Sequence, residues 1–276
     1  GGVLLKVAGT STWIALAPLL GCSVVGLAAS FAVPRVPPAR APGQQGGILA
    51  AWKTVRASRV LWLTVLGSTL FWGVASLLGQ NLVVYMKSVL RAGDEIAGLP
   101  LALFAIGVGA GSVLAGRLSS GKVEYGLIPL GSIGLGAMTL LLGITRPGMT
   151  GVCILMTLMG VSSGLIVVPL HAVLQSLSPP DRRGSVIALA NIFVFSGILA
   201  GSLLGTGLAF FAGLSPAGIF LGAAVITLAG TARAIKLLPD ALVRLVAIIL
   251  ANTAYRIHVT GRHNVPRTGG RLLVAN

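Results

Sequence analysis

Apolar residues run along this chain in long blocks separated by short basic gaps. A helix needs about 20 mostly apolar residues to cross the hydrocarbon core of a bilayer. Seven blocks qualify: 11–33, 60–85, 96–116, 126–145, 151–174, 185–212 and 215–235. An eighth run, 241–255, is shorter, carries Arg244 and follows Asp240, so it reads as an interfacial helix. The connections are short apart from residues 34–59. That stretch opens with Pro34, Pro37, Pro38 and Pro42, continues with Gly43, Gly46 and Gly47, and reads as a flexible linker. Its second half, from Ile48 to Val60, mixes apolar residues with Lys53, Arg56 and Arg59 and predicts an amphipathic segment on the membrane surface. The pattern is therefore one span, a linker, six spans and a basic tail.

Charge in the gaps orients the spans. Arg35, Arg40, Lys53, Arg56 and Arg59 follow the first block, Arg117 and Lys122 the third, Arg182 and Arg183 the fifth, and Arg233, Lys236 and Arg244 the seventh. The alternate gaps are poorer: Lys87 and Arg91 are offset by Asp94 and Glu95, Arg146 stands alone, and Gly213-Leu214 is uncharged. The positive-inside rule puts the richer set in the cytoplasm, so the tail emerges there.

Composition agrees with a membrane protein and excludes other classes. Of 276 residues, 55% are hydrophobic and 9% charged, with a mean hydropathy of +0.96. Soluble domains carry about 25% charged residues, so a soluble enzyme, a coiled coil and a disordered chain are disfavoured together. The net charge of +15 would suggest nucleic acid in a soluble protein. Here the cations sit between spans and form no single basic face, so nucleic acid is not an expected partner and membrane lipid is. Cys22 and Cys153 lie within apolar runs without metal-ligand spacing, and no cofactor is implied. The sequence opens with Gly1-Gly2 inside an apolar stretch and ends with Arg271–Asn276 in a strand-like run, so it reads as a piece of a longer chain.

Inside the spans, glycines recur at four-residue spacing: Gly107 with Gly111, Gly160 with Gly164, Gly218 with Gly222, and Gly197, Gly201 and Gly205. Such stripes let helix backbones approach closely, either as static packing or as smooth faces on which transporter helices rock. Polar residues within spans are few: Gln80 and Asn81, Asn191, and His171 with Gln175 beyond Pro169. Each is either an interhelical hydrogen-bond partner or part of a substrate path. Gln80, Asn81, Asn191 and the neighbouring Trp72 are the path candidates. No carboxylate lies mid-span to act as a proton or cation relay. Two tight basic turns, ending in Gly116, Arg117 and Lys122 and in Asp181, Arg182, Arg183 and Gly184, are either topogenic anchors or a cytoplasmic gate closed by arginine contacts.

The turn Gly111-x4-Gly116-Arg117-x4-Lys122 resembles the second copy of the cytoplasmic loop motif of the major facilitator superfamily. The layout is similar too. Residues 1–33 would be the last helix of an N-terminal half, 34–59 the central linker, and 60–236 the six helices of the C-terminal half. The resemblance implies an all-α integral membrane protein of about seven transmembrane helices. Residues 237–276 resemble an interfacial helix and the truncated start of an α/β glycerolphosphate acyltransferase domain. The carrying features are the strand-like Tyr255–Thr260, the turn Gly261-x-x-Asn264-x-Pro266, and the apolar run to Asn276. In that family the catalytic His-x4-Asp box follows next, so no catalytic residue and no activity are expected in the residues at hand. His258 and His263 lack the box's spacing to Asp.

A facilitator joined to such a domain resembles bacterial lysophospholipid transporter–acyltransferases, whose seventh helix Phe71-Trp72-Gly73 and Gln80 also resemble. The resemblance implies that lysophospholipid is flipped inward across the inner membrane and reacylated. The partners would be the lipid, a missing N-terminal transporter half and a downstream acyltransferase domain. Two alternatives remain: a facilitator of a small soluble solute or drug, and an acyltransferase that uses its spans as an anchor.

Overall fold

The computed structural model describes residues 12–34, 47–119 and 124–237. Linker residues 35–46, Lys122, the expected interfacial helix and the acyltransferase-like segment lie outside these residues. The described elements are all helical: α1 (Thr12–Phe31), α2 (Ile48–Ala57), α3 (Arg59–Ser88), the single turn α4 (Asp94–Ala97), α5 (Leu99–Ser119), α6 (Leu127–Thr145), α7 (Met149–Leu177), α8 (Arg183–Phe210) and α9 (Pro216–Leu237). Six helical segments are long and apolar enough to cross a membrane: α3, α4 continued by α5, and α6 to α9. The first of the seven expected spans forms α1, a helix of 20 residues with Pro18 inside it. Between Leu16 and Pro34, every residue whose exposure is described is exposed.

Local chemistry sets the ends. Ser58 caps α3, its hydroxyl accepting from the Leu61 N–H at 3.4 Å. Arg146 ends α6 in a left-handed conformation, with φ of 45°. Gly213 takes φ of +61° in the turn between α8 and α9, where a side chain would be strained. Hydroxyls buried inside the spans bond back to the helix: Thr139 donates to Leu135 O at 2.7 Å and Ser163 to Met159 O at 2.8 Å. In lipid such groups have no water to turn to.

The six spans form two sets of three, and the second set repeats the contacts of the first in inverted order. The most extensive packing is α5 on α7 and α8 on α3; α6 packs on both α9 and α7, and α9 packs on α3. Exchanging α3, α5 and α6 for α7, α8 and α9 maps this pattern onto itself. An odd number of spans in each set makes the repeat inverted, the arrangement nested within each half of many secondary transporters.

The repeat extends to single residues. On α5, Gly107, Gly111 and Ala115 are buried; on α8, Gly197, Gly201 and Gly205 are buried, so each stripe recurs every fourth residue. A Cβ added at Gly107 would collide with the carbonyl oxygen of Thr157, and one at Gly111 with that of Val161. On the other side, a Cβ at Gly197 would lie 2.5 Å from Thr69 O, and one at Gly201 would collide with Gly73 O. In both crossings the paired residues advance together, so the helices run parallel and touch backbone to backbone. Gly160 and Gly164 complete the α5–α7 crossing, and Gly73 the other, where a Cβ would lie 2.8 Å from Gly197 O. The pair Gly218 and Gly222 behaves otherwise. A Cβ at Gly222 meets nothing, and one at Gly218 only ordinary contacts no closer than 3.6 Å. That pair is not a packing stripe.

Candidate functional site

The charged residues of the spans cluster at helix ends. Arg59, Arg117, Arg183, Arg233 and Lys236 begin or end helices that alternate in direction, which gathers them at one basic end of the bundle. Between the two ends the spans carry no Asp, Glu, Lys or Arg. The polar chemistry of the interior therefore rests on hydroxyls and amides.

One such cluster bridges α3 and α8 just beyond their glycine crossing. Gln80 Nε2 donates to Ser202 Oγ at 2.5 Å, and Ser202 Oγ lies 3.0 Å from Ser76 Oγ. Gln80 is exposed on the bundle surface. Trp72, two turns nearer the basic end, is 37% exposed and meets Phe71 edge-on, with ring centroids 5.5 Å apart. Asn191 sits elsewhere, in a shallow groove along one side of α8 with Ile192, Phe195, Ser196 and Leu199.

Asn81 is next to Gln80 in sequence but turns the other way. It is 4% exposed, and its Nδ2 donates to Pro216 O, at the start of α9, at 2.8 Å. Its Oδ1 is buried without a hydrogen-bond partner. One turn further, the Tyr85 hydroxyl donates to Pro147 O in the α6–α7 turn at 3.0 Å, and its ring packs against Phe220. Two side chains of α3 thus hold two different inter-helix turns at the end opposite the basic one. Lys87 and Asp94 pair at 2.9 Å at the same end, both well exposed, a contact worth little in stability.

The basic end is organised around α2. This helix is amphipathic, as its sequence predicts, and its apolar face docks on protein: Ala51 and Val55 are buried with Leu61, Val65, Leu174, Val186 and Leu189. Trp52 of α2, Trp62 of α3 and Phe193 of α8 pack as three mutual ring pairs 5.5–5.9 Å apart. The Arg56 guanidinium lies 5.5 Å from the Trp52 ring centre and 5.3 Å from that of Trp62, within cation–π range.

Of the expected gate residues, Arg182 connects most. It pairs with Asp181 at 3.3 Å, and its Nη1 donates to Thr54 Oγ1 of α2 at 3.4 Å. The linker helix and the α7–α8 turn are therefore joined. Arg117, Arg183 and Gly184 are exposed at the same end, and Gly116 has open space where a Cβ would go. His171 and Gln175 are exposed near the end of α7. Sequence reading missed the aromatic cluster, the Ser76–Ser202 partnership and the Tyr85 tie. A serine one turn before Gln80 was the available signal for the second.

Six apolar crossings, an inverted three-plus-three repeat and a charge-free interior are the features of a secondary transporter. The model of the Major Facilitator Superfamily matches residues 1–202 and, in a second overlapping match, 81–248. The chain belongs to the Major Facilitator Superfamily and is a multi-pass membrane protein. Comparison with curated proteins and with solved structures returned no match.

Proposed function

We propose that the protein moves lysophospholipid across the bacterial inner membrane to the cytoplasmic leaflet, for reacylation by an acyltransferase domain of the same chain. The observation that carries this reading is the acyltransferase-like segment with the turn Gly261-x-x-Asn264-x-Pro266, which follows the last span by way of the expected interfacial helix. Two structural features support it. The interior offers no fixed charge, which suits a substrate with an acyl chain, and the α3–α8 seam offers an exposed amide, Gln80, to a polar head group. In this reading Trp72 and Gln80 line the path, with Asn191 further along α8, and Asn81 holds α3 in place beside them. The basic end faces the cytoplasm. Arg117, Lys122, Arg182 and Arg183, with Asp181, Gly116 and Gly184, form the gate there. An N-terminal transporter half supplies the opposing wall, as the midplane sites of such folds require.

The test is flux of fluorescent lysophosphatidylethanolamine into proteoliposomes holding the full-length protein, read by protection from an impermeant quencher. Inward accumulation is expected, with a several-fold loss in Gln80→Leu. Uptake of a labelled sugar or drug without lysophospholipid movement would establish the soluble-solute alternative instead.

A further inference from the structure

The inverted repeat is broken at one seam. Its rule pairs the α6–α7 contact with the α9–α3 contact. The first is closed: a Cβ at Gly131 would lie 2.6 Å from Ser162 O, and one at Gly134 2.6 Å from Ser162 Oγ. The second packs much less extensively: it touches at Gly230, where a Cβ would lie 2.6 Å from Leu70 Cδ2, and beside that contact runs an apolar groove of about 270 Å³. Val60, Gly67 and Leu70 of α3, Ile128 of α6, and Gly230 and Arg233 of α9 line it. A smaller hollow of about 90 Å³ shares Gly67, Leu70 and Gly230 and carries the groove deeper. From Val60 to Leu70, α3 rises about 15 Å. That equals one leaflet's share of a hydrocarbon core about 30 Å thick.

The groove has a chemically distinct mouth. Arg233 is exposed and makes no ion pair or hydrogen bond among the described residues. Tyr125 lines the same groove. The exposed Arg233 and the partly buried Tyr125 thus stand at the basic end of a slot one leaflet deep. We propose that this slot is a resident site for an anionic diacyl phospholipid of the leaflet at the basic end. The acyl chain lies along Gly67, Leu70 and Ile128, and the phosphate takes charge-assisted hydrogen bonds from Arg233. The site fills the opening that the asymmetry leaves between α3 and α9. It does not rest on the transport reading: a resident lipid fits a carrier of any substrate.

The test places the full chain in nanodiscs whose phosphatidylglycerol content is titrated against phosphatidylcholine. Native mass spectrometry reads lipid retention, and thermal unfolding reads the shift in Tm. The wild type should retain one phosphatidylglycerol per chain. Arg233→Gln should need about tenfold more phosphatidylglycerol for the same shift, the loss expected for one charged hydrogen bond. Arg233→Lys should recover part of it. Gly67→Leu, whose Cβ has only an ordinary contact at 3.6 Å with Leu170, should fill the slot and abolish retention. Should Gly67→Leu fail to fold, the Arg233 pair still decides. An unchanged phosphatidylglycerol dependence in Arg233→Gln overturns the proposal. So does a disulfide between Leu70→Cys and Ile248→Cys in phosphatidylglycerol-rich nanodiscs, because it would show the tail of the chain occupying the groove.

Discussion

Replacing Gly197 with alanine puts one methyl into the crossing of α3 and α8. The new Cβ would sit 2.5 Å from Thr69 O, where ordinary contact begins near 3.4 Å. The obstacle is main chain, so no rotamer change relieves it. The helices must part by about 0.9 Å, and a gap of that size forfeits a quarter to half of each dispersion contact around it. Overpacking of this kind costs about 1–3 kcal/mol. Alanine's better helix propensity offsets up to ~1 kcal/mol of that. Gly222→Ala is the control, because it gains the same propensity and meets nothing within 4 Å. Thermal unfolding of the purified full chain, followed by tryptophan fluorescence, should place Gly197→Ala about 1–3 kcal/mol below Gly222→Ala. Gly107→Ala, the counterpart in the α5–α7 crossing, should fall by a similar amount. Equal stability of Gly197→Ala and Gly222→Ala would refute the close-contact argument. A large loss at Gly197 with none at Gly107 would refute the equivalence of the two crossings.

Three further outcomes are expected. In a background lacking Cys22 and Cys153, cysteines at Arg40 and Arg183 should resist an impermeant maleimide in intact cells, whereas labelling of either would invert the topology. Changing Arg117, Arg182 and Arg183 together to Gln should lower lysophospholipid flux several-fold while insertion persists, because Arg59, Arg233 and Lys236 still orient the spans; full flux would make them topogenic charges alone. Tyr85→Phe removes one interhelical hydrogen bond and should cost about 0.5–1.5 kcal/mol, read as a lower Tm, with faster hydrogen exchange confined to the turn around Pro147; uniform acceleration across all spans would contradict a local tie.

The element plan was legible because hydropathy measures what a span requires, a sufficient length of apolar chain. The block at 60–85 became α3, extended at both ends, and the block at 185–212 became α8, shifted two residues toward the N-terminus. Partner choice was largely illegible for a physical reason. Every face of these helices is apolar, so hydrophobicity cannot separate a lipid-facing side from a buried one. Only the small-residue stripes carry that information, and they carry it unevenly, since Gly107 and Gly197 mark crossings and Gly222 marks open space. Gln80 and Asn81 show the same limit for polar groups. Adjacent residues on a helix point about 100° apart, so one reached Ser202 and the other Pro216. The docking of α2 on α8 was unreadable because an amphipathic pattern fits a membrane surface and a protein surface equally.

The ties made by Asn81 and Tyr85 have a mechanical side. Both anchor points are main-chain carbonyls in turns that join other helices, one leading into α9 and one joining α6 to α7. Both donors sit on a single rod, one turn apart. A tilt of α3 therefore pulls on both hairpins with one handle, and neither can swing without dragging or snapping a bond to that rod. Any opening of one hairpin at this end would therefore be coupled to the other through the helix that also carries Gln80.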